Sequence, residues 1–215
     1  MSFWDYVSSR QQQLLNDTYQ HASAVFQCMV LAVVLGVGLG ALTYRNERAG
    51  RLAVLTTGTV LTIPSYALLG LLIPVLGLGV PPTVTALVLY ALLPIVRNSI
   101  VGLRGVDPAL TDAARGIGMT GPARLVRVEL PIAWPTILAG IRVSTQMSMG
   151  ILAIAAYASG PGLGNEIFSG IASLGSANAL NEVLAGTLGI VLLALLFDAA
   201  LVMLGRLTVS AGIRV

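Results

Sequence analysis

Forty-five consecutive residues between Arg51 and Arg97 carry no charge. As one straight helix they would reach about 68 Å, more than twice a hydrocarbon core of about 30 Å. Lipid offers no hydrogen bonds, so an apolar run of this length must be helical and must turn back on itself. Gly77-Leu-Gly-Val-Pro-Pro82 supplies the breakers. The run therefore predicts two spans, at 52–76 and 82–101. The 27 uncharged residues between Asp17 and Arg45 hold another at 22–44. A fourth is expected at 132–158 and a fifth at 183–205, the last carrying Asp198.

The chain thus reads as an all-α membrane protein with about five transmembrane helices in one domain, residues 22–205. A polar lead, 1–21, precedes it, and its Phe3, Trp4 and Tyr6 suit an anchor at headgroup level. A tail, 206–215, follows. Only 10% of the residues are charged, against about 25% in an ordinary soluble domain. All 12 basic residues are arginine, and a chain without lysine cannot build a Walker A phosphate loop. One cysteine, Cys28, and one histidine, His21, leave neither a disulfide nor a metal cluster, and His21 reads as an interfacial hydrogen-bonding residue. The first twenty residues lack a basic stretch leading into an apolar core, so no cleavable signal peptide is expected.

Arginine placement orients the spans. Arg45, Arg48 and Arg51 fall in the first loop, Arg97, Arg104, Arg115, Arg124, Arg127 and Arg142 in or beside the loop 102–131, and Arg206 and Arg214 after the last span. Only Arg10 lies on the other side, so the positive-inside rule puts the N-terminus outside and the C-terminus in the cytoplasm. The net charge of +3 follows from that rule and carries no implication of nucleic-acid binding.

The loop 102–131 is the longest polar stretch between spans. Asp107-Pro108 reads as N-cap and first residue of a short helix running to Ile117. Gly118 ends it, Thr120-Gly-Pro122 starts a second short helix through Val128, and Leu130-Pro131 opens the fourth span. Such a bracket can pass a push from a cytoplasmic partner into two spans; on composition alone a solvated linker bearing positive-inside arginines fits as well.

Asp112-Ala-Ala, three residues, Gly118, nine residues and Val128-x-Leu-Pro131 resembles the EAA loop of ABC importer permeases, with Asp for Glu and Val for Ile. The resemblance implies a type I permease fold and a coupling helix that docks in a groove of an ATP-binding subunit. Asp112, Ala113, Ala114 and Gly118 would form the contact core, with Arg115 and Met119 flanking it. Thr62-Ile-Pro-Ser-Tyr-Ala-Leu-Leu-Gly70, Tyr90-Ala-Leu-Leu-Pro-Ile-Val-Arg-Asn98 and Ala139-Gly-Ile-Arg142 are similar to the branch importing glycine betaine, carnitine and choline. Gly160-Pro-Gly-Leu-Gly164 stands where that branch has a glycine-rich loop. The resemblance further implies two cytoplasmic ATPases carrying ATP and magnesium, a second permease subunit, identical or sister, and an extracytoplasmic binding protein. This chain would hold no cofactor and catalyse nothing. Permeases for another small solute, a methionine-like amino acid or an ergothioneine-like betaine, share these features; an ion-coupled carrier has no need of the bracket.

Within the spans, Pro64 removes a backbone donor, and Pro64, Ser65 and Tyr66 read either as a packing irregularity or as a hinge turned to the pathway. Asp198 costs about 2.5–3.5 kcal/mol at a helix centre on insertion scales and needs a partner, with Arg97 and Arg142 as candidates for a structural pair. Gly36, Gly38 and Gly40 with Ala32 suit a small-residue packing face. Tyr66, Tyr90 and Tyr157 lie within spans, where ordinary packing is the simpler role. The arginine asymmetry has a direct check. A reporter active only outside the membrane should work when fused within 159–182 and be silent within 107–120; the reverse pattern overturns the orientation.

Overall fold

A computed structural model describes residues 1–209, so Arg214 and most of the expected tail lie outside the described residues. The chain is helical almost throughout: α1 (Phe3–Ser9), α2 (Gln11–Thr43), α3 (Glu47–Leu61), α4 (Ser65–Leu76), α5 (Val80–Arg104), α6 (Pro108–Gly116), α7 (Gly121–Arg124), α8 (Leu130–Ala155), α9 (Gly164–Ala172) and α10 (Ala179–Thr208). Helix α5 is the centre of the bundle, packed on α2, α3, α4 and α8, while α10 leans on α8 and α9 at the edge.

Four continuous helical stretches are long and apolar enough to cross a bilayer: α2, α5, the run from Gly121 to Ala158, and α10. The expected single helix at 52–76 is instead two, α3 and α4, meeting at 93°. Pro64 has no N–H to continue the helix, and Thr62 and Ile63 leave it. The Ile63 carbonyl, which a continuing helix would have paired, accepts instead from the Tyr90 hydroxyl of α5 at 2.7 Å.

Whether the bent pair crosses the bundle or dips back is decided by its ends. Gly50 in α3 lies against Arg104, and Arg104 donates to the Tyr44 carbonyl at 2.7 Å, so α3 starts where α5 finishes. At the other end of the pair the Gly79 N–H donates to the Ala158 carbonyl at 2.8 Å, so the turn after α4 sits where the fourth span finishes. The chain therefore traverses the bundle five times. Residue 45 and the loop 105–120 share one end; residues 1–10, 77–79 and 158–182 share the other.

Three further expectations change. Residues 1–21 are no separate lead: α2 already begins at Gln11, and Tyr6 is buried rather than interfacial, while Trp4 is exposed. The second short helix of the polar loop does not stop before the fourth span. Gly121–Arg124 passes through a π-helical turn, Leu125–Glu129, straight into α8. The Leu130 N–H reaches back to the Leu125 carbonyl there. Pro131 lacks the N–H that the Arg127 carbonyl would take, and its ring crowds that carbonyl; a wider turn carries the helix past it. Finally, the segment 159–182 contains α9, laid against α10.

The helices meet through small residues. Ala32 is fully buried, and a Cβ on Gly36 would lie 2.7 Å from Ile95 Cγ2 and one on Gly40 2.5 Å from Ser99 Cβ. Spaced four apart, these three make the face on which α2 meets α5. Gly38, grouped with them by sequence, faces open space. Gly140 does the same work between α8 and α5, where a Cβ would come within 2.6 Å of the Pro94 carbonyl. Gly40→Ala should therefore cost about 1–3 kcal/mol by overpacking and lower the thermal midpoint of the detergent-solubilised protein. Gly38→Ala, which meets nothing within 4 Å, should leave that midpoint unchanged or slightly raised.

Candidate functional site

At the arginine-rich end the chain presents α6. The Asp107 carboxylate accepts from the Ala109 N–H at 2.8 Å and Pro108 takes the first turn, as the sequence predicts for a capped start. The helix closes where Ile117 N–H reaches Ala113 and Met119 N–H reaches Ala114. Between them Gly118 turns the chain at φ +84°, a conformation costing a residue with a Cβ about 1–2 kcal/mol. Nothing lies within 4 Å of a Cβ there, so the demand on Gly118 is conformational alone.

The residues singled out from the sequence divide into two sets. Ala114 is buried against its own chain, while Asp112, Ala113, Arg115 and Gly118 are exposed and Met119 is half-buried at the rim. Asp112 and Arg115 pair at 3.4 Å with side chains 68% and 67% exposed. A pair in that setting contributes about 0–1 kcal/mol, too little to hold the loop in place.

What holds it is a cluster that sequence reading passed over. Glu129, the unnamed residue of Val128-x-Leu-Pro131, has a side chain only 3% exposed. It accepts from Arg124 Nε at 2.7 Å, from Arg45 at 3.1 Å and from the Tyr44 hydroxyl. Arg45 also donates to that hydroxyl, and its guanidinium lies over the Tyr44 ring. Arg104, at the end of α5, donates to the carbonyls of Tyr44 and Asn46. The ends of α2 and α5, the start of α3, and the π turn are thus tied together directly behind α6. Arg124 and Arg45 read as positive-inside charges; only the charge of Glu129, inside an apolar motif, could have signalled the cluster.

The remaining candidates fall elsewhere. Arg142 meets Asp198 in a two-pronged pair, 2.9 Å on each oxygen, and Gln146 donates to the same carboxylate at 3.2 Å. Arg97, the other candidate, is exposed and makes no ion pair among the described residues. Pro64 and Tyr66 are exposed and Ser65 half-buried at the α3–α4 bend. The Tyr66 ring meets Tyr157 edge-on, centroids 5.2 Å apart.

The opposite end carries a second polar cluster. The Tyr6 hydroxyl donates to the buried Glu166 carboxylate at 2.6 Å, and Gln13 donates to its other oxygen at 2.9 Å. Burial first, and then the Glu166 carboxylate, push the Tyr6 phenol above its ordinary pKa, so it stays a donor. Arg10 stands 4.0 Å from Glu166 and 3.9 Å from Glu182. These contacts fasten α1 and the head of α2 to α9 and α10. His21 is fully buried rather than interfacial; its Nε2 donates to the Met149 carbonyl at 3.2 Å, and Gly162 packs on its ring and Cβ.

The whole arrangement has known counterparts. Residues 32–209 match the family described as binding-protein-dependent transport system inner membrane component. The osmoprotectant import permease protein OsmW of Salmonella typhimurium is 41% identical over 97% of this chain and 98% of its own. The choline transport system permease protein OpuBB of Bacillus subtilis is 36% identical over 94% of this chain and 91% of its own. In structure, a chain of the inward-facing MetNI methionine ABC transporter superposes with a TM-score of 0.81, covering 94% of this chain and 99% of that one at 21% identity, a likeness of fold.

Removing Glu129 leaves Arg124, itself only 10% exposed, buried without its counter-charge. Glu129→Ala should cost about 3–5 kcal/mol. Asp112→Ala, removing one partner of an exposed pair, should cost less than about 1 kcal/mol. Thermal unfolding of the two purified variants compares them; equal midpoints would overturn the ranking.

Proposed function

This chain belongs to the family of inner-membrane components of binding-protein-dependent transport systems, and from that membership we propose that its α6 face is the point where a separate ATPase grips it to drive uptake of compatible solutes. It is a multi-pass permease subunit of an ABC importer and not itself an enzyme. The solutes are those in the names of its relatives, glycine betaine, choline and carnitine, which share a quaternary ammonium group. The one observation that carries the coupling role is the contrast within the loop 105–129. Its outer face, Asp112, Ala113, Arg115 and Gly118, is left open, while its base is locked through Glu129 to the end of α2, and Arg104 ties that end to α5.

Supporting details fit a lever. A surface of small residues lets a partner approach closely, and the positive φ at Gly118 aims the chain back toward the bundle. A displacement of α6 reaches α8 through the continuous helix from Gly121, and reaches α2 and α3 through Arg45. ATP and magnesium belong to the partner ATPases, two copies in this reading, one under each of two permease subunits. An extracytoplasmic binding protein delivers the solute to the end that carries α1 and α9, and the arginine asymmetry supports the α6 end being cytoplasmic. ATP-driven closure of the ATPases favours one packing of the spans and hydrolysis favours the other; the chain supplies two packings and a grip, and the difference in partner binding shifts the population between them. Pro64, Ser65 and Tyr66, at the 93° bend, serve as the hinge of the second crossing.

In cells carrying the whole transporter, Asp112→Arg and Gly118→Val should each reduce ATP-dependent choline or glycine betaine uptake at least tenfold while the permease remains inserted and folded. Uptake at the unaltered level, with the ATPase still co-purifying, would overturn the coupling assignment.

A further inference from the structure

Arg142, Gln146 and Asp198 lie in the middle of the fourth and fifth traverses. Asp198 stands eight residues before Arg206, about 12 Å along the helix, and Arg142 eleven residues after Pro131, about 16 Å. At that depth an ionised pair belongs in the bundle interior or against water. Here it is in neither an interior nor a fully enclosed site: 40% of the Arg142 side chain and 24% of the Asp198 side chain remain exposed, and Gln146 is exposed beside them.

The three polar side chains mark one patch on an otherwise apolar outer surface. Along α8 the exposed positions continuing from the triad are Ala139, Val143 and Gly150, and a Cβ at Gly150 would meet nothing within 4 Å. Beside Gln146 a cleft of about 260 Å³ opens, walled by Val191, Ala194 and Leu195 of α10. On the far side of α10 Leu192, Leu196 and Met203 are 61–66% exposed, with no polar side chain among them. Leu196 sits about 160° round the helix from Asp198 at 3.6 residues per turn. What sets the two sides of α10 apart is Asp198 itself, since Val191 and Leu195 beside it are also apolar and are 49% and 62% exposed.

We propose that the α8–α10 cleft at Arg142, Gln146 and Asp198 is a wall of the water-filled passage through which the solute moves. The inference rests on the permease reading above, in which a second subunit closes that passage. A paired guanidinium and carboxylate present both signs at no net charge. A cation such as choline, or a zwitterion such as glycine betaine, then meets polar groups that replace part of its hydration without holding it.

The test uses the assembled transporter in membranes, with Cys28→Ala removing the one native thiol. Gln146→Cys, exposed to a membrane-impermeant methanethiosulfonate, should react at least tenfold faster than Leu196→Cys, because only a hydrated thiol ionises and attacks. Val191→Cys, which walls the cleft without touching the ion pair, should behave as Gln146→Cys does and stands in for it should that variant fail to assemble. Labelling of the cleft positions as slow as that of Leu196→Cys would overturn the proposal. So would spontaneous disulfide pairing of Gln146→Cys between subunits without reagent access, which marks a dry seam. Labelling does not depend on which solute is carried, so fast labelling with no choline uptake would sink the substrate reading alone.

Discussion

One buried carboxylate organises the arginine-rich end of the molecule. Glu129 is shared by Arg124, one π turn earlier in its own continuous helix, and by Tyr44 and Arg45 from the end of α2. A buried charge without its partners costs several kcal/mol, so the segments that bring those partners are not free to move apart. Arg124 belongs to α7, and Tyr44 and Arg45 close α2; Arg104 of α5 then takes the Tyr44 and Asn46 carbonyls that the turn into α3 leaves open. Directional bonds join these four segments beside their apolar packing. Apolar packing in lipid supplies little such direction, since acyl chains solvate a leucine as well as another leucine does.

Between the two polar ends the shaft of the bundle is held by close approach. Ala32, Gly36 and Gly40 bring α2 onto α5, and Gly140 brings α8 onto it. Dispersion between backbones at that distance replaces the hydrophobic effect that a soluble core would use. At the far end Tyr6, Gln13 and Arg10 gather on Glu166 and Glu182, so α1 and α9 ride together with α10. Two directional knots therefore flank a shaft in which small residues interlock.

The number of crossings, their approximate limits and the capped helix at Asp107 were legible in the sequence because each follows from a local rule: a charge-free length, a proline at a first turn, a glycine at a left-handed turn. Partner choice was less so. Asp198 announced that it needed a counter-charge, yet Arg97 and Arg142 were equal candidates until helix rotation settled on Arg142. Glu129 and Glu166 looked like ordinary polar residues near span ends because their partners stand 84 and 160 positions away. Gly38 was grouped with Gly36 and Gly40 by type, whereas helical spacing separates it from them. The join of the second loop helix to α8 was hidden because Pro131 signals a start, and the π turn that lets a helix pass such a residue leaves no mark of its own.

The second crossing shows why a broken helix is tolerated at membrane depth. A gap in an isolated helix exposes several backbone groups, each costing a few kcal/mol in hydrocarbon. Here the chain meets part of that demand itself. Thr57 donates to the Ala53 carbonyl, Thr59 to that of Leu55 and Thr62 to that of Thr59, so the last turns of α3 spend their hydroxyls on their own backbone. The Thr62 and Ile63 N–H groups keep tight 3.1 Å bonds to Thr59 and Val60. Pro64 has no N–H to satisfy, and Tyr90, reaching from the central helix, covers the Ile63 carbonyl. The break is covered on the α3 side, and its one long-range hydrogen bond is to α5. The bonds before the proline stay within α3, the Leu68 N–H to Pro64 bond stays within α4, and the Tyr90 tie alone joins the break to another helix.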